Sequence, residues 1–151
     1  MSLDEKIVED LKKAMKEKDT LRLSCLRMLK TALKNLQVEK QRKLKDEEIQ
    51  GVISSLIKKG KEAAKEFKNA GREDLALKEE TEVTIFYDYL PRQLTPEDVE
   101  KILREIISEL SAEKPSDLGK VMKMAMPRMA GKAQGKEVNE IAKRLLLATD
   151  N

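Results

Sequence analysis

Between Arg22 and Lys45 the chain carries eight lysines or arginines and a single acid, Glu39. Such a run can hold phosphates, and little else along the chain offers chemistry. There is no histidine, which removes the commonest general base and the commonest transition-metal ligand. One cysteine, Cys25, cannot build a thiolate metal site, and without a histidine partner beside its leucine-rich neighbours it reads as a small core residue. The acid pairs Glu47-Glu48 and Glu79-Glu80 are adjacent in sequence, so on helices each pair diverges by about 100° and reads as solvated surface rather than a cation site.

The segment Gly131-Lys-Ala-Gln-Gly-Lys-Glu137 resembles a phosphate loop only in outline. A Walker A loop has four residues between its glycines and a Ser or Thr after the lysine; here three intervene and Glu137 follows. Gly131 as a helix C-cap and Gly135 as the N-cap of the next helix explain the pattern. The free N–H groups at the start of that last helix, with Lys132 and Lys136, still form a candidate anion site.

The elements that must position these residues are helical. Charged residues make up 39% of the chain and aromatics 3%, a composition of helices rather than sheets. Ser2 and Glu5 have capping-box spacing. A second helix starts near Thr20, with Leu26, Leu29, Leu33 and Leu36 as its apolar stripe; Arg27, Lys30, Lys34 and Lys45 are expected on an adjacent face. Asp46 is expected to cap a third helix, on whose apolar side Gly60 signals the close approach of another helix. Gly71 ends it, and a fourth helix stops at Pro91. Thr95-Pro96-Glu97-Asp98 starts a fifth; Ser116 or Asp117 caps a sixth, and a seventh runs from about Lys136 to Leu147. The expectation is an all-α protein: an N-terminal helical bundle over residues 1–90 and a small C-terminal three-helix unit over residues 91–151. Met122, Met126 and Met129 share one side and read as core filling, although a methionine surface could also take a partner helix.

Net charge is only +3, so the case for nucleic acid is local. Four aromatics, Phe67, Phe86, Tyr87 and Tyr89, are too few for several base-stacking platforms, and no DNA sequence specificity is expected. No apolar stretch approaches the roughly 18 to 20 residues of a membrane span. A single thiol suits a reducing compartment, and the first residues are acidic and polar, unlike a signal peptide; a cytoplasmic protein is expected.

Several motifs in order, Arg22–Asn35, Ala70–Glu80, Tyr89–Glu100, Gly119–Lys123 and Gly131–Asn139, resemble the YqeY family, which is itself similar to the C-terminal tail of the B subunit of the tRNA-dependent amidotransferase. The resemblance covers essentially the whole chain; one departure is Gln134, where the family often has Asp. It implies a helical bundle followed by a three-helix unit, and a tail that grips the body of a tRNA. Amide transfer and its ATP- and Mg²⁺-dependent activation belong to other domains of that enzyme, so kinship to glutamine-dependent carbon–nitrogen ligases would not by itself imply an activity here, and no cofactor is expected. Taken with the basic residues, it points to tRNA or another structured RNA as partner, with tRNA-modifying enzymes nearby. The candidate contacts are Arg27, Lys30 and Lys34 in one zone, and Lys120, Lys132, Gly135, Lys136, Lys143 and Arg144 in another. Arg27 and Arg144 could hold phosphates in bidentate fashion, the lysines as point charges. A protein–protein adaptor remains open as a second reading, and an enzyme of the amidotransferase class is disfavoured by the missing motifs.

Without a histidine, a Walker A loop or a Gly-x-Ser-x-Gly turn, the purified chain is expected to show no amidotransferase, ATPase or hydrolase turnover. Turnover that stays with the protein at constant specific activity through repeated purification would contradict this.

Overall fold

The structure, a computed structural model, describes residues 1–149; Asp150 and Asn151, which close the expected second segment, lie outside the described residues. Among those described there are seven α-helices and no strand, so the chain is all-α. Its contacts divide it into two compact units, Met1–Pro91 and Arg92–Asn151.

The first unit holds α1 (Leu3–Glu17), α2 (Thr20–Lys40), α3 (Asp46–Asn69) and α4 (Glu73–Tyr87). Local chemistry sets most of their ends. Ser2 accepts from the Glu5 N–H at 3.2 Å while the Glu5 carboxylate accepts from the Ser2 N–H at 3.3 Å, satisfying two N–H groups that a helix start leaves bare. Asp19 caps α2 by accepting from the Arg22 N–H at 3.2 Å. Gly71 at φ 74 closes α3, with Gly71 N–H donating to the Lys68 carbonyl at 3.1 Å and Arg72 N–H to the Phe67 carbonyl at 2.8 Å; this two-bond closure needs a left-handed residue.

Two expectations need correction. The second helix does not reach Lys45: it ends at Lys40, with Gln41 in the left-handed region at φ 56, where the chain turns toward α3. Asp46 is the first residue of α3 rather than its cap; Lys45 holds the cap position. The Glu48 carboxylate reaches back to the Lys45 N–H at 3.0 Å, one half of a capping box, and fixes Lys45 at the cap position.

The apolar stripes close on one core, in which Ile7, Leu26, Leu29, Ile53 and Ile57 are completely or almost completely buried. Each such side chain contributes about 1.5–3 kcal/mol relative to exposure. The antiparallel pair α3 and α4 is the most extensively packed, and Gly60 is where it closes: a Cβ there would lie 2.6 Å from Val83 Cγ2. Tyr89, just beyond α4, donates to the Asp10 carboxylate at 2.6 Å, and the Lys6 ammonium lies 5.3 Å from its ring centroid, so α1 is tied to the end of α4.

The second unit holds α5 (Pro96–Leu110), a 3₁₀ turn at Pro115–Asp117, α6 (Leu118–Arg128) and α7 (Gly135–Thr149). Thr95 and Asp98 form a reciprocal cap, behind which Pro96 costs no hydrogen bond. Leu103, Ile106, Val121, Met129, Val138 and Leu146 fill the core. Pro127 lies inside the last turn of α6, which ends one residue later at Arg128. The turn from Gly131, at φ 73, is held by the Leu94 N–H donating to the Lys132 carbonyl at 2.8 Å and the Gln93 amide donating to the Gly131 carbonyl at 2.7 Å.

Two outcomes follow from this packing. Gly60→Ala gains about 1 kcal/mol of helix propensity but forces a methyl into the stiff Val83 side chain at a cost of about 1–3 kcal/mol, so it should lower the denaturation midpoint. The Gly60→Ala/Val83→Ala pair should lose less than the two single losses combined; strict additivity would show that the contact is not the constraint. Cys25 is wholly buried, and burial, reinforced by the Glu82 charge, pushes its thiol up to about 12. The native chain should therefore resist a disulfide reagent at neutral pH and react stoichiometrically only after denaturation; rapid native labelling would contradict this.

Candidate nucleic-acid interface

Burial of Cys25, Leu26, Leu29 and Leu33 turns one side of α2 inward. Arg27, Lys30 and Lys34 are consequently exposed, and among the described residues none of the three has an ion-pair partner. Counted around the helix from Arg27, Lys34 lies at about −20° and Lys30 at about −60°, with about 10.5 Å of axial rise from Arg27 to Lys34. Three cations therefore share one narrow strip, clear of Glu39, which lies about 120° away on the same scale.

Three others of the basic run are engaged with acids, while Lys43 and Lys45 are exposed beyond the end of α2 and have no ion pair among the described residues. Arg22 lies 3.6 Å from Asp19 and 3.8 Å from Asp88. Arg42 donates to both oxygens of Glu48, at 2.7 and 3.0 Å, and Lys40 lies 3.8 Å from the same carboxylate. These bonds, that of Arg42 first and that of the Lys45 N–H second, hold the Glu48 carboxyl down at about 2. Lys45, beyond the end of α2, is not on the strip where helical spacing had set it. The Glu48 clasp escaped the sequence because it spans a turn between two helices, where 3.6-residue spacing carries no information.

The second zone is mixed. Lys120 on α6, Lys132 in the turn, and Lys136 and Lys143 on α7 are all exposed. Lys136 and Lys143 share a face of α7, but Glu140 lies between them, within about 60° of both. Arg144 is engaged by Glu100 at 3.2 Å, and Glu100 also holds Arg104 at 2.8 Å, so a bidentate phosphate grip by Arg144 would have to displace an existing pair. Gly135 is the first residue of α7. Gln134, immediately before it, is 9% exposed, and its buried amide nitrogen has no hydrogen-bond partner.

Other clusters are engaged only in part: Lys58 and Lys65 on α3 are exposed and have no ion pair among the described residues. On the α3 ridge of Lys58, Lys61, Lys65 and Lys68, Lys61 lies 5.2 Å from the Tyr87 ring centroid and Lys68 pairs with Glu80. Met129 is fully buried, and Met122, Met124 and Met126 are half-buried against the same core. Glu82 is buried, and burial followed by the neighbouring Glu79 raises its carboxyl. Among the described residues no group of three or more acids or cysteines could hold a metal ion, and no helix is long and apolar enough to cross a membrane. None of the four aromatics is exposed: Phe86 and Tyr89 are buried, Phe67 and Tyr87 half-buried.

Among known proteins, the chain is similar to three yeast proteins named altered inheritance of mitochondria protein 41, mitochondrial. It is 33% identical to that of Lachancea thermotolerans over 111 residues, 72% of this chain and 59% of the relative. The protein of Kluyveromyces lactis is 35% identical over 112 residues, 72% of this chain and 60% of the relative. That of Vanderwaltozyma polyspora is 30% identical over 105 residues, 68% and 57%. The chain thus spans 57–60% of the length of these relatives. Their names place these relatives in mitochondria, which overturns the expectation of a cytoplasmic protein. The physical reason is that one reduced thiol does not discriminate between reducing compartments, and the first residues of a chain that covers only part of its relatives carry no information about targeting. A sequence model of the family described as YqeY-like protein matches residues 4–146, nearly the whole chain, and the chain belongs to that family.

Proposed function

We propose that the chain is an RNA-binding module with no catalysis of its own, gripping the phosphate backbone of a structured RNA, a tRNA in the first instance, through the α2 strip. One observation carries this: Arg27, Lys30 and Lys34 are exposed on one face, unpaired among the described residues, while Arg22, Lys40 and Arg42 beside them are neutralised by Asp19, Asp88 and Glu48. A polyanion can displace water from that strip without first breaking an ion pair. Lys120, Lys132, Lys136 and Lys143 make a second, weaker zone, since Glu140 offsets it. The choice of tRNA rests on the resemblance to the amidotransferase tail.

Backbone contacts should dominate. With no exposed aromatic, the chain lacks a platform for splayed bases, so affinity should track phosphate geometry rather than sequence. The adaptor reading loses part of its support, because Met129 is fully buried in the second core and Met122, Met124 and Met126 are half-buried against it.

The test is a salt titration of tRNA binding. The logarithm of the binding constant should fall linearly with the logarithm of salt, each neutralised phosphate contributing roughly 0.7 to 0.9 to the slope. Lys30→Glu/Lys34→Glu should weaken binding and flatten the slope by about 1.5, while thermal stability stays nearly unchanged because exposed charges contribute little to folding. Identical affinity and slope in the variant would remove α2 from the interface, and no binding by the wild type even at low salt would overturn the proposal.

A further inference from the structure

Beside the cation strip, α2 carries a second row of different chemistry. Ser24, Thr31 and Asn35 are exposed; with Arg27 as zero, they lie at about +60°, +40° and +80°, against about −20° and −60° for Lys34 and Lys30. The two rows run side by side along the same two to three turns, cations on one edge and neutral hydrogen-bonding groups on the other. No acid interrupts the stretch from Ser24 to Asn35.

The groups of the second row are free to bond outward. A helical Ser or Thr commonly spends its hydroxyl on the carbonyl four residues back, and α4 shows this: Thr81 donates to the Leu77 carbonyl at 2.8 Å and Thr84 to the Glu80 carbonyl at 3.0 Å. Ser24 and Thr31 on α2 make no such bond, and the Asn35 amide has no partner among the described residues. Each can both donate and accept, which is the requirement for meeting a hydroxyl that does the same.

We propose that this row makes the grip selective for RNA over DNA. With the phosphates of one strand held by Arg27, Lys30 and Lys34, the neighbouring row faces the sugar edge, where only RNA offers a 2′-hydroxyl as donor and acceptor. Ser24, Thr31 and Asn35 then read the sugar while the cations supply sequence-independent attraction. The inference rests on the backbone-grip proposal above and adds to it the class of nucleic acid accepted.

The experiment compares a tRNA transcript with the all-deoxy chain of the same sequence, each titrated at low salt against the wild type, Ser24→Ala/Thr31→Ala/Asn35→Ala, and Lys30→Glu/Lys34→Glu. The triple variant should fold at least as well as wild type, since alanine is the better helix former at all three sites; a circular dichroism melt checks this. The wild type should bind the ribose chain about tenfold more tightly, the yield of one or two hydrogen bonds at their usual net strength. The triple variant should bind both chains about as the wild type binds the deoxy chain, with an unchanged salt slope. The cation variant should lose affinity for both. Equal wild-type binding of the two chains overturns the selectivity alone. A preference that survives the triple substitution also overturns it, because the preference then comes from the shape of the RNA. Failure of the wild type to bind either chain brings down the backbone grip and the selectivity together.

Discussion

Helix α2 has only one way to present itself to solvent, because Cys25, Leu26 and Leu29 have no exposure at all and Leu33 almost none. Rotating the helix by a quarter turn would pull these residues into water at about 1.5–3 kcal/mol each and press Arg27 or Lys30 into the core at far greater cost. The leucine stripe therefore fixes the azimuth of everything else on the helix. Packing against α1, α3 and α4 makes the first unit a frame, and the cation strip is what remains outside it. The close contact of α3 with α4 at Gly60 belongs to the same constraint, since these two helices, together with α1, supply the surface on which the stripe of α2 is buried.

The distribution of acids then decides which cations stay available. Arg42 and Lys40 share Glu48, Arg22 lies between Asp19 and Asp88, and Arg144 is held by Glu100. Exposed pairs of this kind contribute little to stability, but they matter for recognition, because a polyanion must compete with the acid already present. Of the eight basic residues between Arg22 and Lys45, three are thus paired with acids, three stay available on the α2 strip, and Lys43 and Lys45 lie beyond the end of the helix. In the second unit, Glu140 and Glu100 have the same effect around Lys136, Lys143 and Arg144. Membership of the YqeY-like family fits a small helical module of this kind, and the scarcity of exposed aromatic surface directs any grip toward backbone rather than base.

The helices themselves were legible from local signals. The Ser2–Glu5 box, the closure at Gly71 and the Thr95-Pro96 start all work within six residues of chain, so the sequence by itself determines where those helices begin and end. The 3.6-residue period likewise determines which side of α2 is apolar, and the glycine on the stripe of α3 foretold a close neighbour. What only the tertiary structure decided is which charges are free and where the chain turns. Lys45 left the strip because α2 ends at Lys40, where Gln41 turns the chain toward α3, and Lys45 rather than Asp46 holds the cap of α3. Asp88, the second partner of Arg22, and Glu100, the partner of Arg144, lie 66 and 44 residues away, beyond the reach of any periodicity. Caps and stripes are set by neighbours along the chain, whereas the availability of a charge is set by whatever the fold brings within about 4 Å of it.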